Sequence, residues 1–495
     1  MLRFFYIGGL LIKYTFIYLL MRLGIYHVPK NKVIKRFFEE SGGSFVKFGQ
    51  LLALRVDILP KEYSLDMIDL LDNVKPFSYS DVTEVFLSDL GAAPEKIFKD
   101  VQKEPFASGS FGQVHAAKLE DNTIVAVKIM RPGIEDQVQA DFIMITILAF
   151  LADYFFRISG LSWRDFADEF KHWTLKELDY HIEAEHAERM AKNMEGNKII
   201  IIPKVYERFS TKRILVQEYI EGFHLSRILR GFKNGKLDAN ALKEYGVDIR
   251  TFTHNLTQEI LSQYFFFGFF HADLHPGNII LLPKNKIALI DYGIMGEWIP
   301  ANQLSLIRFM KSVGDYSFKE ATYYFADVVS TDLKQMILSA FPASVEQKEI
   351  DDFLRLITDH FATSVEALVG GSAKDLQDMK KDYTTLLLQI INTTKSYKIK
   401  IPKEMAIFIK ALSTLGLVSK ELNNDYRLQQ EIKYFFDHHP ENTFPLINSR
   451  PTTKRISRER ALERLNGWLA YLLEVDPAIY KLVQSYINQY NQIDK

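Results

Sequence analysis

The sequence predicts an α+β fold with a narrow β-rich region and a mainly helical remainder. Strand-like segments joined by hairpin-type turns are concentrated between residues 104 and 130. Shorter strand pairs are predicted near 201–219 and across 279–290. Residues 301 to 440 instead carry the apolar spacing of helices and few strand signals. We therefore expect a small antiparallel sheet with helical inserts, followed by a large helical part.

Length and composition limit the classes of protein that this chain can represent. Its 495 residues are enough for two or three domains or one large elaborated domain. The 61 Lys and Arg against 62 Asp and Glu leave a net charge of −1, which argues against a basic nucleic-acid binder. A hydrophobic content of 47% excludes an acidic disordered chain. With no cysteine, the chain can have no disulfide, thiolate nucleophile or Cys-ligated metal centre.

The N-terminal segment, residues 2 to 21, is apolar except for Arg3 and Lys13. A central Lys costs roughly 3 kcal/mol on membrane insertion, whereas each Leu, Ile or Phe returns about 0.3–0.6 kcal/mol, so the sum is near balance. The segment is expected to associate with a membrane, either spanning it or lying in its interface; a buried helix of a soluble protein is the alternative. The basic residues that follow favour the cytoplasmic side: Arg22, Lys30, Lys32, Lys35 and Arg36.

Two other segments are less informative. Residues 142 to 152 are apolar but too short to span a membrane, and we expect a buried helix there. The tail from about 445 is basic, and we expect a solvated helix face, with contact to a membrane surface as the alternative. The basic residues of this tail are Arg450, Lys454, Arg455, Arg458, Arg460 and Arg464.

A constellation of acidic and amide side chains indicates phosphoryl transfer. Asp273 and Asn278 lie five residues apart in His271-x-Asp273-x-x-x-x-Asn278, and a predicted hairpin separates them from Asp291-Tyr-Gly. Phosphoryl transfer needs one carboxylate to position the acceptor hydroxyl or water, here Asp273. It also needs an Asn and a second carboxylate to hold Mg²⁺, here Asn278 and Asp291. The combination is far more specific than a lone His-x-Asp.

A nucleotide-binding segment is predicted upstream of these acidic and amide residues. Small residues in a turn let backbone N–H groups approach phosphate oxygens. The residues of the turn are Ala107, Ser108, Gly109, Ser110, Phe111, Gly112 and Val114. Lys128 is the last residue of Val-Ala-Val-Lys within a predicted apolar strand. A lysine there needs an anionic partner unless it reaches water from a sheet edge. ATP phosphates and a helix Glu would meet that need. Glu218 and Tyr219 are predicted to begin a hinge next to the adenine of a bound ATP.

The partner of Lys128 is expected on a helix spanning residues 177 to 185. Glu183 is the first candidate and Glu185 the second. Asp179 and Glu183 are four residues apart and are predicted to share one face of this helix.

Two features disfavour an ordinary Ser/Thr/Tyr protein kinase. Ala272 follows His271 where such kinases carry an Arg, so an activation-loop phosphate has no guanidinium to dock on. No Ala-Pro-Glu follows Asp291-Tyr-Gly, and the platform that holds a peptide substrate is expected to be absent.

An upstream motif, Lys47-x-Gly49-Gln50, completes a set that resembles the UbiB family of atypical kinases, the aarF-domain-containing or ADCK-type proteins. The other motifs of the set are Glu177-x-Asp179, Lys128, residues 271–278 and residues 291–293, so the resemblance extends over about residues 40 to 300. It implies a two-lobed protein-kinase-like fold whose N-terminal helical extension lies over the nucleotide cleft. The residues that would close this cleft are Lys47, Gln50, Glu177 and Asp179.

The resemblance also implies ATP or ADP with Mg²⁺ as ligands, and a role in ubiquinone or other prenyl-lipid biosynthesis at membranes. Family members usually carry an alanine-rich loop where this chain has Ala107-Ser-Gly-Ser110, and Gly109 makes this turn more flexible.

These observations lead to one functional interpretation. We expect an Mg²⁺-dependent atypical kinase or ATPase, with Asp273, Lys128 and Glu183 as catalytic residues, supporting isoprenoid-quinone biosynthesis at the cytoplasmic face of the inner membrane. Membrane lipid or a prenyl-lipid or quinone precursor, and quinone-biosynthesis proteins, are the expected partners, and nucleic acid is not. The alternatives are a small-molecule kinase of the aminoglycoside/choline type and a non-catalytic scaffold switched by nucleotide.

The corresponding domain organisation has five parts. The predicted parts are a membrane-associating segment (1–25), a helical extension (26–103), a small lobe with a helical insert (104–222), a large lobe (223–445) and a basic helical tail (446–495).

Overall fold

The computed structural model describes most of the chain as two compact units. One unit comprises Met1–Ile228 and Pro276–Met295, and the other comprises Leu229–His275 and Gly296–Lys495. The units interleave in sequence, so Pro276–Met295, which falls in the predicted domain 223–445, groups with the first unit. The described residues are 2–53, 75–155, 163–298, 303–329, 336–337, 339–340, 345–369, 401–445 and 457–491.

The N-terminal part of the first unit is a helical layer. Its core contains Phe38, Phe45, Val138, Phe142 and Phe170, all buried. The spacing of these apolar residues gives each helix one face that is removed from water by its neighbours. The helices of this layer are α1 (Leu2–Arg22), α2 (Lys30–Ser41), α3 (Ser44–Ala53), α6 (Ile134–Phe155) and α7 (Trp163–Glu177).

Helix α1 is attached to this layer by ion pairs of Arg3 and Lys13. Arg3 Nε lies 2.7 Å from Asp141 Oδ1, and Asp141 is fully buried. Lys13 Nζ lies 2.7 Å from Glu40 Oε2. Among the described residues, α1 provides one segment long and apolar enough to cross a membrane, Arg3–Arg22.

The first sheet follows the predicted antiparallel arrangement. Its order is β1-β3-β4-β6, with β2 also paired to β3. Helix α4 packs Val82, Val85 and Phe86 against Val125, Val127 and Ile129 of β4. The elements are α4 (Tyr79–Leu90), the short α5 (Pro94–Ile97), β1 (Asp100–Val101), β2 (Ala107–Ser108), β3 (Gly112–Lys118), β4 (Ile124–Met130) and β6 (Ile214–Glu218).

A second sheet has the order β5-β10-β9-β7. Its β9–β10 hairpin confirms the strand pair predicted across 279–290, and Lys284 and Asn285 adopt the left-handed conformation that the tight connection requires. Gly222 lies against β9, where an added Cβ would come 2.5 Å from Ile280 Cγ2. The strands are β5 (Ile200–Ile201), β7 (Phe223–His224), β9 (Ile279–Leu282) and β10 (Lys286–Leu289).

Two predictions for this unit are wrong, and a third is confirmed only in part. The strand pair near 201–219 forms one isolated antiparallel bridge between Val205 and Gln217, while β5 pairs with β10 and β6 pairs with β4. Residues 177 to 185 are not one helix: α7 ends at Glu177, and α8 (Tyr180–Asn193) begins after Asp179, which caps it. Helix α6 is only half-buried over 142–152, since one of its faces exposes apolar side chains. The exposed side chains of α6 are Ile143, Ile147, Phe150, Leu151 and Tyr154.

The second unit is mainly helical in its described residues, as the spacing of 301–440 predicts. Its aromatic core includes Tyr264, Phe270, Trp298 and Phe408. After α9 (Leu225–Lys233), its elements are α10 (Ala239–Glu244), α11 (Ile249–Ser262), a π-helix (Gln263–Phe267), β8 (Phe269–His271), β11 (Met295–Glu297), α12 (Gln303–Gly314), α13 (Phe318–Val329), α14 (Gln347–Val369), α15 (Lys403–Leu422), α16 (Leu428–His438), α17 (Arg458–Val475) and α18 (Pro477–Asn491).

The basic tail is described only in part. Arg458 and Arg464 lie on α17 with exposed side chains, as a solvated helix face predicts. Arg450, Lys454 and Arg455 lie outside the described residues, and so does the side chain of Arg460.

Candidate functional site

Lys128 lies on β4 between two carboxylates of the first unit. Because side chains alternate along a strand, Val127 and Ile129 enter the core beneath α4 while Lys128 faces the other side of the sheet. There it forms an ion pair with Glu183 of α8, and its Nζ lies 3.0 Å from Asp291 Oδ2. The side chains of Lys128 and Glu183 are only 13% and 7% exposed. Lys128 is therefore a paired, nearly buried cation, and Glu183 is its helix partner.

The charges of this cluster do not balance. Burial by itself lowers the pKa of Lys128, but the Asp291 and Glu183 carboxylates outweigh it and raise that pKa above its usual value. Burial, followed by repulsion from Asp291, raises the pKa of Glu183 to about 7 against the opposing attraction of Lys128. One ammonium faces two carboxylates, so full ionisation leaves an excess negative charge, which favours binding of a further cation.

The Asp291-Tyr292-Gly293 segment is held by hydrogen bonds from several elements. Glu183 Oε1 accepts a hydrogen bond from the Tyr292 N–H at 3.2 Å, and Asp291 Oδ1 accepts one from the Gly293 N–H at 3.1 Å. His186 Nδ1 lies 2.8 Å from the Tyr292 carbonyl, and burial lowers the pKa of His186. A neutral imidazole with its proton on Nδ1 is the donor that this carbonyl requires.

Two of these anchoring residues were not found by sequence reasoning. Gln217 Nε2 of β6 donates to the Ile290 carbonyl at 3.1 Å, directly before Asp291. His186 lies three residues after Glu183 on α8, and this helical spacing was a signal that could have identified it. No local pattern distinguished Gln217 from an ordinary strand residue.

Asn278 and Asp291 lie at the same end of the β9–β10 hairpin. Asn278 directly precedes β9, Asp291 follows β10 by two residues, and the Ile290 N–H donates to the Asn278 carbonyl at 3.1 Å. Across the described ranges, no three His, Asp or Glu side chains converge as a ready-made metal site. Mg²⁺ commonly takes one or two protein oxygens and completes its shell with substrate phosphates and water. This pair of residues fits an Mg²⁺ ion that binds together with a nucleotide.

The glycine-containing turn between β2 and β3 has glycines where the backbone is closely packed. The Gly109 N–H donates to the Gly112 carbonyl at 2.8 Å, and Ala107 pairs with Val114 across the turn. A Cβ on Gly112 would lie 2.5 Å from the Ile129 carbonyl oxygen, so a side chain has no room there.

Three other residues of this turn region have distinct environments. Ser108 Oγ is buried and has no hydrogen-bond partner among the described atoms, which fits a hydroxyl that binds a phosphate oxygen. Val114 lies directly opposite Lys128, on the same face of the sheet. The Phe111 side chain is buried in the helical core, so its backbone is the part that could contact a nucleotide.

The predicted adenine end contains an aromatic pair. Phe106 and Tyr219 meet edge to face with ring centroids 5.6 Å apart, and both rings are partly exposed. The Glu218 carboxylate accepts from the Lys204 N–H at 3.3 Å, while the Glu218 N–H donates to the Lys204 carbonyl at 2.8 Å. Since Glu218 is engaged in this way, Tyr219 and Phe106 are the side chains suited to cover a base. The sequence placed Phe106 at the start of the phosphate-covering segment 106–114 and did not indicate its contact with Tyr219.

Two of the four residues predicted to close the cleft form an ion pair. Lys47 Nζ lies 3.1 Å from Glu177 Oε1, and a Cβ on Gly293 would lie 4.0 Å from Glu177 Cγ, so this ion pair is next to the Asp291-Tyr292-Gly293 segment. Asp179 instead accepts from the His181 N–H at 3.0 Å as the N-cap of α8. The side chain of Gln50 lies outside the described residues.

Asp273 belongs to the second unit and follows β8. Its N–H donates to His271 Nδ1 at 3.2 Å, and the His271 N–H donates to Gln263 Oε1 at 3.0 Å. Asp273 Oδ1 also lies 3.3 Å from Lys410 Nζ of α15. The buried His271 and the cation together orient this carboxylate, and Lys410 was not among the residues identified from sequence.

Comparison with known proteins identifies the family of this chain. Residues 69–324, about half of the chain, match the ABC1 atypical kinase-like domain. A probable protein kinase UbiB from Azotobacter vinelandii is 26% identical over 452 residues, which is 90% of this chain and 75% of that protein. Protein ACTIVITY OF BC1 COMPLEX KINASE 8, a chloroplastic protein of Arabidopsis thaliana, is 32% identical over 285 residues, 55% of this chain and 36% of that protein.

A solved structure of Rv3197 with erythromycin, from Mycobacterium tuberculosis, aligns with a TM-score of 0.49 at 21% identity over 82% of this chain and 94% of that one. The domain match confirms the kinase-like fold that the motifs implied. The chain therefore belongs to the ABC1 atypical kinase-like family, together with UbiB and the ADCK-type proteins.

Proposed function

We propose that this protein binds ATP with Mg²⁺ and transfers the terminal phosphoryl group to an acceptor hydroxyl or to water, as an atypical kinase or ATPase. The observation that carries the proposal is Lys128, held nearly buried between Glu183 and Asp291. A cation so placed, beside an excess carboxylate, suits a phosphate group and the metal ion that accompanies it.

Each residue has a role that follows from its contacts. Lys128 binds the α- and β-phosphates, and Glu183 keeps its ammonium in position. Asn278 and Asp291 hold Mg²⁺, which neutralises phosphate charge when it is bound. The Gly109–Gly112 turn and the Ser108 hydroxyl contact phosphate oxygens. Asp273, oriented by its neighbours, positions the acceptor oxygen and takes its proton.

The first test replaces Lys128 with Met. We expect the affinity for Mg·ADP to fall about tenfold or more and ATP turnover to fall about 100-fold, because the phosphates lose their buried cation. The measurements are calorimetric titration with Mg·ADP and steady-state ATP hydrolysis by the full chain. Lys118→Met is the matched control, since Lys118 ends β3 in the same sheet and is exposed.

Unchanged affinity and turnover in Lys128→Met would refute this assignment. Nucleotide binding by the wild type without turnover, in every condition with and without lipid, would replace the enzyme with a nucleotide-switched scaffold.

We propose further that the protein acts at a membrane, with α1 lying in the interface rather than spanning it. Arg3 and Lys13, the charged residues of α1 before its last residue Arg22, are paired with protein carboxylates, so the exposed face of α1 is mainly apolar and includes Phe5 and Ile12. An apolar face of this kind, next to the exposed basic residues Lys30 and Lys32, is suited to an anionic lipid surface on the cytoplasmic side. The exposed apolar residues of α6 add to this membrane-facing surface.

Vesicle flotation tests the membrane proposal. Phe5→Glu together with Ile12→Glu is expected to reduce binding to phosphatidylcholine–phosphatidylglycerol vesicles more than tenfold, because each buried aromatic or aliphatic side chain contributes about 1.5–3 kcal/mol. Leu87→Glu is the control, as Leu87 is an exposed apolar residue on α4. The wild type should be released by alkaline carbonate. Retention after carbonate would contradict an interfacial helix and favour a spanning one.

The biological setting that we propose is isoprenoid-quinone biosynthesis, with a prenyl lipid or quinone precursor as the associated ligand. Its support is the family membership and the UbiB relatives of Azotobacter vinelandii and Marinobacter nauticus, which align with 90% and 91% of this chain. Loss of quinone on deletion of the encoding gene, restored by the wild type but not by Asp273→Asn, is the expected result. Normal quinone levels after deletion would contradict this setting.

A further inference from the structure

Asp273 is paired with a cation from a helix that is distant in sequence. Lys410 Nζ of α15 lies 3.3 Å from Asp273 Oδ1, although the two residues are 137 positions apart. The side chains are 10% and 28% exposed, respectively. Residues 271 to 278 contain neither Lys nor Arg, so the loop that carries Asp273 provides no permanent cation of its own.

Packing holds Lys410 in this position. Phe408, two residues earlier, meets the rings of Tyr264 at 4.8 Å and Trp298 at 5.0 Å between centroids. Ile409 and Ala411, on either side of Lys410, are also buried. A lysine in such a stretch needs an anion, since an unpaired charge so far removed from water is strongly unfavourable. Asp273 provides one anion, and the ammonium group has three N–H donors to distribute.

The charge of the transferred phosphoryl group suggests what the other N–H donors of Lys410 bind. In phosphoryl transfer, negative charge is spread over the three equatorial oxygens of the moving group, and fixed cations stabilise it. We propose that Lys410 binds the terminal phosphate of ATP next to Asp273, as the cation of the transfer step. This inference rests on the proposed function and adds a residue to it.

The step balances without any further reactant. The acceptor hydroxyl or water forms a bond to the terminal phosphorus, and the bond from that phosphorus to the β–γ bridging oxygen breaks with its electron pair going to ADP. The acceptor proton passes to Asp273. Lys410 acts only through its charge and is neither proton donor nor nucleophile, so an Arg at this position keeps the required charge.

The decisive measurement compares nucleotides with and without a terminal phosphate. Full-length Lys410→Met is titrated calorimetrically with Mg·ADP and with the non-hydrolysable ATP analogue AMP-PNP. We expect AMP-PNP affinity to fall about tenfold and Mg·ADP affinity to change less than about twofold, because the lost cation meets only the terminal phosphate. ATP turnover should fall about 30- to 100-fold. Lys410→Arg should recover most of both.

Lys420→Met is the matched control, because Lys420 lies on the same helix but is exposed. A parallel loss of affinity for both nucleotides in Lys410→Met, with a lower melting temperature, would overturn the inference in favour of a structural ion pair. Unchanged AMP-PNP affinity would also overturn it. If Lys128→Met weakens the binding of both nucleotides while Lys410→Met changes the affinity for both equally, this inference fails and the proposed function stands. If the wild type binds neither nucleotide, both fail.

Discussion

Replacement of Asp291 by Asn is expected to reduce Mg²⁺-dependent ATP turnover about 1,000-fold, because the site loses the carboxylate that would bind the metal ion. The nucleotide-free protein should not lose stability. Lys128 keeps its ion pair with Glu183, and the amide oxygen of the substituted side chain can still accept the Gly293 N–H. Removing the second carboxylate relieves the repulsion that raises the pKa of Glu183. The variant should therefore be as stable as the wild type or slightly more stable, as expected where a functional site stores unfavourable electrostatics.

Three measurements check this expectation: turnover as a function of Mg²⁺ concentration, calorimetric titration with Mg·ADP, and thermal unfolding without nucleotide. Asp100→Asn is the control, since Asp100 is an exposed acidic residue at the start of β1 in the same unit. Turnover that survives in Asp291→Asn would exclude Asp291 as the metal ligand. A markedly lower melting temperature would mean that its carboxylate serves the fold rather than the metal.

The pH dependence of stability is expected to reveal Glu183. Its pKa is about 7 in the folded protein against a normal value of 4.5, so the folded state holds the proton more tightly than the unfolded state does. The stabilising contribution is present in full below pH 4.5 and is lost as the pH rises through about 7. The total change is on the order of 3 kcal/mol, since one pH unit of difference corresponds to about 1.4 kcal/mol.

Urea unfolding of the nucleotide-free protein between about pH 5 and pH 8 measures this change. The free energy of unfolding of the wild type should fall over that range relative to that of Glu183→Gln. This variant lacks the titrating carboxyl group. Glu185→Gln is the control, because Glu185 lies on the same helix and is exposed. Parallel curves for the wild type and Glu183→Gln would contradict a perturbed Glu183.

Motif spacing was sufficient to identify several features of this protein correctly. The β3–β4 hairpin and the β9–β10 hairpin rest on contacts between residues close in sequence. The choice of Glu183 over Glu185 as the partner of Lys128 agrees with the observed ion pair. A strand lysine flanked by apolar residues must have an anion, and Glu183, in the first turn of α8, provides one. The kinase-like fold was likewise implied by motifs, since five of them recur in a fixed order.

These errors have a common cause, because the apolar or helical period of a segment does not determine its cap, its burial or its strand partner. Asp179 has helical spacing to Glu183, yet a short acidic side chain satisfies the free N–H groups at a helix start better than it serves within a helix. Residues 142–152 of helix α6 are apolar, which predicts burial on all sides, but only part of this stretch is covered in the first unit. The strand pair predicted near 201–219 is limited to the Val205–Gln217 bridge, because hydrophobic pattern does not specify which neighbour a strand joins, and β5 joins β10 while β6 joins β4.

The amino-acid sequence was enough to establish the family and the kinase-like fold and to predict the acidic and amide residues of the candidate site, because these depend on residue types at short, regular spacings. The pairing of Lys410 with Asp273, the anchoring of Asp291 through His186 and Gln217, and the attachment of α1 by Arg3 and Lys13 depended on packing. Each of these contacts joins residues far apart in the chain, and no local pattern encodes which distant side chain will meet a given charge.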